Sequence, residues 1–149
     1  MQNQIDNAKS VGDIFGIVKR VVKDAIGKEQ AGILVAMADL GAYPGQFIGA
    51  YYDLGANTIV INKRPLMTMP KHFWNEYLFH ILLHEYIHSC GFMDELQCRN
   101  VTAKIIESFG LDVPTTIEPY GKFVMPGEPK SSRIDYVPGI DRKNTDYIM

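Results

Sequence analysis

From Ser10 the apolar residues Ile14, Ile17, Val18, Val21, Val22 and Ala25 recur at intervals of three and four, the period of a helix with one buried stripe. Ser10 followed by Asp13 predicts an N-cap with an acid in the first turn, and Gly27 is placed to end the helix in a left-handed conformation. Three runs of strand composition follow, over 32–38, 47–53 and 57–62, separated by Gly41-Ala42-Tyr43-Pro44-Gly45 and by Leu54-Gly55-Ala56. The last two are close enough for a hairpin, and Thr58-Ile59-Val60-Ile61 alternates too little for a strand with a solvated face. Pro70 can open a helix without forfeiting an internal hydrogen bond, and apolar residues from Phe73 to Ile87 then cover nearly every side of it. Such a helix is central, buried against sheet and helices alike, with Gly91 at its end. A third helix over Asp94 to Phe109 carries the stripe Cys98, Val101, Thr102, Ile105 and Phe109, and the short link predicts that it runs antiparallel to the second.

From Asp112 the texture changes: five of the eight prolines fall in the last 38 residues, and no long periodic segment survives. The pattern predicts an α+β domain over 1–111 with a small mixed sheet of about three strands, followed by an irregular tail over 112–149. Ile117, Tyr120, Phe123, Tyr136, Val137, Tyr147 and Ile148 are too many apolar residues for a solvated linker, so the tail is expected to dock on the domain.

Composition adds bounds. A chain of 149 residues, 46% hydrophobic and 21% charged, is sized for one globular core. With 15 basic and 17 acidic residues and a net charge of -2, nothing favours nucleic acid or a membrane surface as a partner. The longest apolar stretch, Ala31 to Ala38, falls far short of the ~20 residues of a membrane helix, and Met1 to Ser10 is polar. A soluble, cytoplasmic protein is the expectation. Cys90 and Cys98 are too few for a disulfide framework and suit a reducing compartment.

The central helix carries the chemistry. His84-Glu85-Tyr86-Ile87-His88 is the pattern H-E-x-x-H, whose histidines at i and i+4 share one helical face and can share one Zn2+. Four histidines and seven glutamates placed at random would give the pattern in about one such chain in two hundred, and here it falls on the helix that the spacing demands. A catalytic zinc takes three protein ligands and leaves a fourth position to water. Glu85, about 100° round the helix from His84, can reach that water as general base. Gly91 permits a sharp turn that brings Asp94 and Glu95 back toward the metal as alternative third ligands. They lie roughly 35° and 65° from the centre of the third helix's stripe, on opposite sides, so helical phase does not decide between them. Side-chain length favours Glu95, and Asp94 competes for a role as helix cap. Glu107, about 18 Å further along and facing away, is excluded.

His84-Glu85-x-x-His88 with Gly91 and Asp94-Glu95 resembles the zincin metallopeptidases, over roughly residues 10 to 110. The spacing is similar on one side to metzincin-like proteins reading H-E-x-x-H-x-x-G-x-x-H or D, which implies Asp94 as ligand. On the other it resembles the small gluzincins called minigluzincins, in which a glutamate of the following helix binds zinc, which implies Glu95. Val124-Met125-Pro126 resembles the metzincin methionine turn, although a Met-Pro pair in an irregular tail reads as structural filler.

The resemblance implies hydrolysis of peptide bonds in peptides or unfolded protein, with Zn2+ and no further cofactor. Tyr120, Tyr136 and His80 are the candidates for stabilising the oxyanion. It also implies an extended substrate along an exposed sheet edge, assigned to the strand 57–62. The short segment after the ligands implies a shallow site, and a tail lying across it would make the enzyme latent. The competing functions are a noncatalytic zincin-fold module that binds peptide and a metal-dependent hydrolase of another bond.

Overall fold

The computed structural model describes residues 1–41, 46–111, 122–123 and 135–137. Its helices are α1 (Gln2–Asp6), α2 (Val11–Ile26), α3 (Arg64–Thr68), α4 (Trp74–Ser89) and α5 (Glu95–Ser108), with a 3-10 turn over Lys71–Phe73. Its strands are β1 (Leu34–Ala38), β2 (Gln46–Phe47), β3 (Ala50–Asp53), β4 (Thr58–Asn62), β5 (Lys122–Phe123) and β6 (Asp135–Tyr136). The fold is α+β.

The predicted stripe becomes α2, which buries Ile14, Phe15, Ile17, Val18, Val21 and Val22. Ser10 Oγ accepts from the Asp13 N–H at 3.1 Å, satisfying a backbone donor that the helix leaves open, while Asp13 Oδ2 accepts from the Lys9 N–H just before the cap at 3.1 Å. Gly27, at φ 67°, ends it in the left-handed conformation. Two helices, α1 and α3, have no counterpart in the periodic pattern. Each is five residues long, too short to show a period, and α1 is tied down from outside: Asn75 Nδ2 donates to the carbonyls of Ile5 and Ala8, both at 3.0 Å.

The main sheet has the order β3-β4-β1-β6. β1 runs parallel to β4, with Val35 beside Ile59, and β3 is antiparallel to β4, with Tyr52 opposite Ile59. The two-residue β6 adds to the far side of β1, and β2 pairs with β5 in a separate two-stranded sheet. Every residue of β4 is buried, as its unbroken apolar run predicts. Its position corrects the edge assignment: β4 lies between two partners, and the outer strand is β3.

The predicted strand over 47–53 is split into β2 and β3. Asn62 takes over the intervening backbone, donating from Nδ2 to the Ile48 carbonyl at 2.8 Å and from its N–H to the Gly49 carbonyl at 2.9 Å. This side chain is 0% exposed, yet satisfied. Its Oδ1 accepts from the N–H groups of Leu40 and Arg64, and Nδ2 also donates to the Gly41 carbonyl.

α4 is the central element, touching α1, α2, α5, β3 and β4. Tyr77, Leu82, Leu83, Tyr86 and Ile87 are buried on several sides of it, which fixes its rotation about its axis. The Tyr86 ring stands edge-on to Phe15 at 5.5 Å, and its hydroxyl accepts from the Gln30 N–H at 3.0 Å. Cys90 and Cys98 are free thiols. No helix of the described residues is long and apolar enough to cross a membrane.

Of the tail, the described part adds β6 to β1 and β5 to β2. The loop 42–45, Tyr120 and Val124-Met125-Pro126 lie outside the described residues, as does most of the segment expected to dock on the domain.

Candidate metal centre

The i, i+4 spacing on α4 sets the His84 and His88 rings 4.8 Å apart, nearly perpendicular. After α4 the chain reverses at Gly91, whose φ of 112° is open to glycine and strained for any other residue. The reversal has two products. It brings the Phe92 carbonyl oxygen to 2.8 Å from His88 Nδ1, and it starts α5 so that Glu95 faces α4.

The Glu95 carboxylate lies between the two imidazoles. His84 Nε2 is 2.8 Å from Oε1, and His88 Nε2 is 2.9 Å from Oε2. A carbonyl oxygen only accepts, so the proton on Nδ1 of His88 is fixed by Phe92. A neutral His88 therefore turns a bare Nε2 lone pair on the lone pairs of Glu95. Either a second proton on the ring or a cation among the three groups resolves that opposition. Two imidazoles and a carboxylate form a donor set that zinc takes in open catalytic sites, with tetrahedral ligand atoms about 3.3 Å apart. Each imidazole nitrogen would have to draw back from its carboxylate oxygen by only about half an ångström to reach that spacing. The residues present fit the ion, and the Phe92 carbonyl supplies the outer hydrogen bond that orients a ligating histidine.

Charge follows the same geometry. Burial lowers the His84 imidazole below its ordinary value against the pull of Glu95, which favours the neutral, ligating form. Burial pushes the Glu95 carboxyl up, but His84, His88 and Arg99 outweigh it and hold the group below the usual carboxylate value. Arg99 Nε sits 3.3 Å from Oε1 of Glu95, one turn along α5.

Glu85 lies within the influence of both Glu95 and the Tyr52 backbone of the sheet. Burial and the nearby Glu95 charge push its carboxyl up to about 8, against the opposing pull of the Tyr52 backbone N–H. Tyr52 is on β3, whose pairing among the described residues is with β4 alone. The edge of β3 that has no partner among the described residues is therefore the one near the carboxylate of the motif.

Asp94 is placed elsewhere. As N-cap of α5 its carboxylate accepts from the Gln97 N–H at 2.9 Å, and the side chain is exposed. Glu107 is exposed on α5, away from the site. His80, one turn before His84, is half-buried, and its Nδ1 has no hydrogen-bond partner among the described residues. Burial, then His84, lower it to about 4. Tyr136 is 56% exposed on β6, at the opposite end of the sheet from β3, so it is not brought to the site.

Two residues escaped the sequence reading. Cys98 counted only as part of the α5 stripe, yet its Sγ and one nitrogen each of His84 and His88 all lie within 4.8 Å of one another. Its position three residues after Glu95, on the stripe facing α4, was the available signal. The thiol is wholly buried, donates to the His84 carbonyl at 3.2 Å, and is pushed up to about 12 by burial. Arg99 is the other, and a lone exposed arginine on a helix carries no motif. Comparison with protein families, curated proteins and solved structures finds no match to this chain.

Proposed function

We propose that the protein is a zinc-dependent metallopeptidase with a minimal zincin-like fold, its metal held by His84, His88 and Glu95. The observation that carries this reading is the convergence of both Nε2 atoms on one carboxylate from the next helix, with Glu85 nearby, close to the edge of β3 that no described strand pairs. Glu95 suits the third position because it is already ionised and oriented, whereas Asp94 is committed to the α5 cap.

Zinc bound there supplies Lewis acidity and lowers the pKa of water. The other steps belong to the chain. Glu85, raised toward the working pH, takes a proton from the attacking water and later passes it to the leaving amine. The Tyr52 N–H lies near that carboxylate and favours its charged form. The outer edge of β3 offers main-chain hydrogen bonds to an extended peptide, which brings a backbone carbonyl beside the motif without a deep pocket.

A second reading rests on Cys98. If its thiolate joined His84, His88 and Glu95, the coordination would be closed and the domain would bind zinc or peptide without cutting. Glu85 argues for the first reading, since a closed site has no use for a base.

Zinc content and cleavage of unfolded-protein substrate separate the two. The peptidase reading expects one zinc in wild type, in Glu85→Gln and in Cys98→Ser, with cleavage lowered about 10²- to 10⁴-fold in Glu85→Gln alone. Loss of zinc in Cys98→Ser, with no cleavage by wild type, would establish the closed site instead.

A further inference from the structure

Arg99 stands beside the proposed metal position and has more donors than partners. Its stem runs back over the first turn of α5, and Nε meets Oε1 of Glu95, the same oxygen that faces His84 Nε2. At 3.3 Å, with the side chain 63% exposed, the contact is looser than the 2.7 to 2.9 Å of a firm charge-assisted bond. Neither terminal amino group pairs with any described residue, and the side chain as a whole is largely exposed.

Charge sharpens the picture. With a divalent ion in place, Glu95 and Glu85 at most neutralise it, and the guanidinium leaves the mouth of the site positive. Asp94, the nearest other carboxylate in sequence, is turned to the Gln97 N–H. No described residue is paired with the fork to cancel that charge.

We propose that Arg99 is a specificity-determining residue that takes a substrate carboxylate close to the bond presented to the metal. The inference rests on the peptidase reading. A carboxylate matches the open fork with two parallel N–H···O bonds, which a lysine ammonium cannot reproduce. The carboxylate has two sources, an acidic side chain next to the scissile bond or a free C-terminus, and both present the same planar group.

Binding to the zinc-loaded Glu85→Gln protein tests this without turnover. Three labelled peptides of equal length serve as probes: one with an internal glutamate and an amidated end, one neutral with a free C-terminus, and one neutral and amidated. At least one of the first two should bind about 10- to 100-fold more tightly than the third, and which one does so names the source. Adding Arg99→Gln should bring all three to one affinity, and Arg99→Lys should restore only part of the preference. Zinc content measured on each protein separates a lost anion site from a lost metal. Equal affinities for all three peptides, or a preference that survives Arg99→Gln, would overturn the role of Arg99 and leave the peptidase reading standing. Failure of all three to bind the loaded protein would overturn both.

Discussion

Asp94 and Glu95 are adjacent carboxylates with opposite uses. The first satisfies a backbone donor that α5 leaves free, and the second meets two imidazole nitrogens across the helix pair. Substitution should separate these uses cleanly. Asp94→Ala should cost about 1 kcal/mol of stability through the lost cap, and Asp94→Asn far less, because an amide oxygen also caps. Both should retain zinc. Losing an outer hydrogen-bond partner of a ligand typically lowers metal affinity about 10- to 100-fold, so Glu95→Gln, which alters a direct ligand, should lower it at least that much. Competition against a chromophoric chelator reads the affinities, and urea unfolding in excess chelator reads the stabilities. Metal loss on Asp94→Asn with full retention on Glu95→Gln would reverse the assignment.

At the scale of elements, the turn at Gly91 couples helix geometry to the metal centre. It sets the Phe92 carbonyl against His88 and aims α5, so strain there should be felt in both stability and metal binding. A Cβ at Gly91 meets nothing within 4 Å, which leaves the backbone at φ 112° as the source of cost. Gly91→Ala should therefore lose about 1 to 3 kcal/mol and bind zinc more weakly. Gly110→Ala, at φ 63° beyond the other end of α5, also meets open space and should lose stability while keeping zinc affinity. Differential scanning calorimetry with and without zinc separates the two effects. The long elements were legible because α2, α4 and α5 repeat a helical period long enough to read. α1 and α3 were not, since one turn has no period. Strand order was also hidden: nothing local in Thr58 to Asn62 tells an inner strand from an edge, and that is how β4 came to be assigned the edge of β3. Within the site, His84, Glu85 and His88 were legible from spacing on one helix. The roles of Glu95 and Asp94, the approach of Cys98 and the open fork of Arg99 depend on how α5 packs against α4, which no local spacing encodes.

For the whole molecule, the buried site makes stability depend on pH in a direction that can be worked out. His80 titrates near 4 in the fold, below the ordinary 6.5, because burial and then His84 disfavour its cation. Between those values the unfolded chain binds a proton that the native state refuses, so this contribution is present above pH 6.5 and is lost as pH falls toward 4. Its full size is about 3 to 4 kcal/mol, following about 1.4 kcal/mol per unit of pKa difference, of which about 3 kcal/mol is lost by pH 4. Glu85 acts oppositely: its folded value near 8 lies above the ordinary 4.5, so its contribution is present below 4.5 and is lost as pH rises through 8. The His84 imidazole, lowered by burial, adds to the His80 side. A comparison of wild type with His80→Leu isolates one group, since Glu85 and His84 remain in both proteins. Leucine also removes the unpartnered Nδ1, so the variant's baseline stability is free to differ. In metal-free urea unfolding, the stability of His80→Leu relative to wild type should rise by about 3 kcal/mol between pH 7 and pH 4. A difference that stays constant across that range would show that His80 accepts its proton as readily in the fold as in the unfolded chain, and that the interior of α4 is wetter than its packing implies.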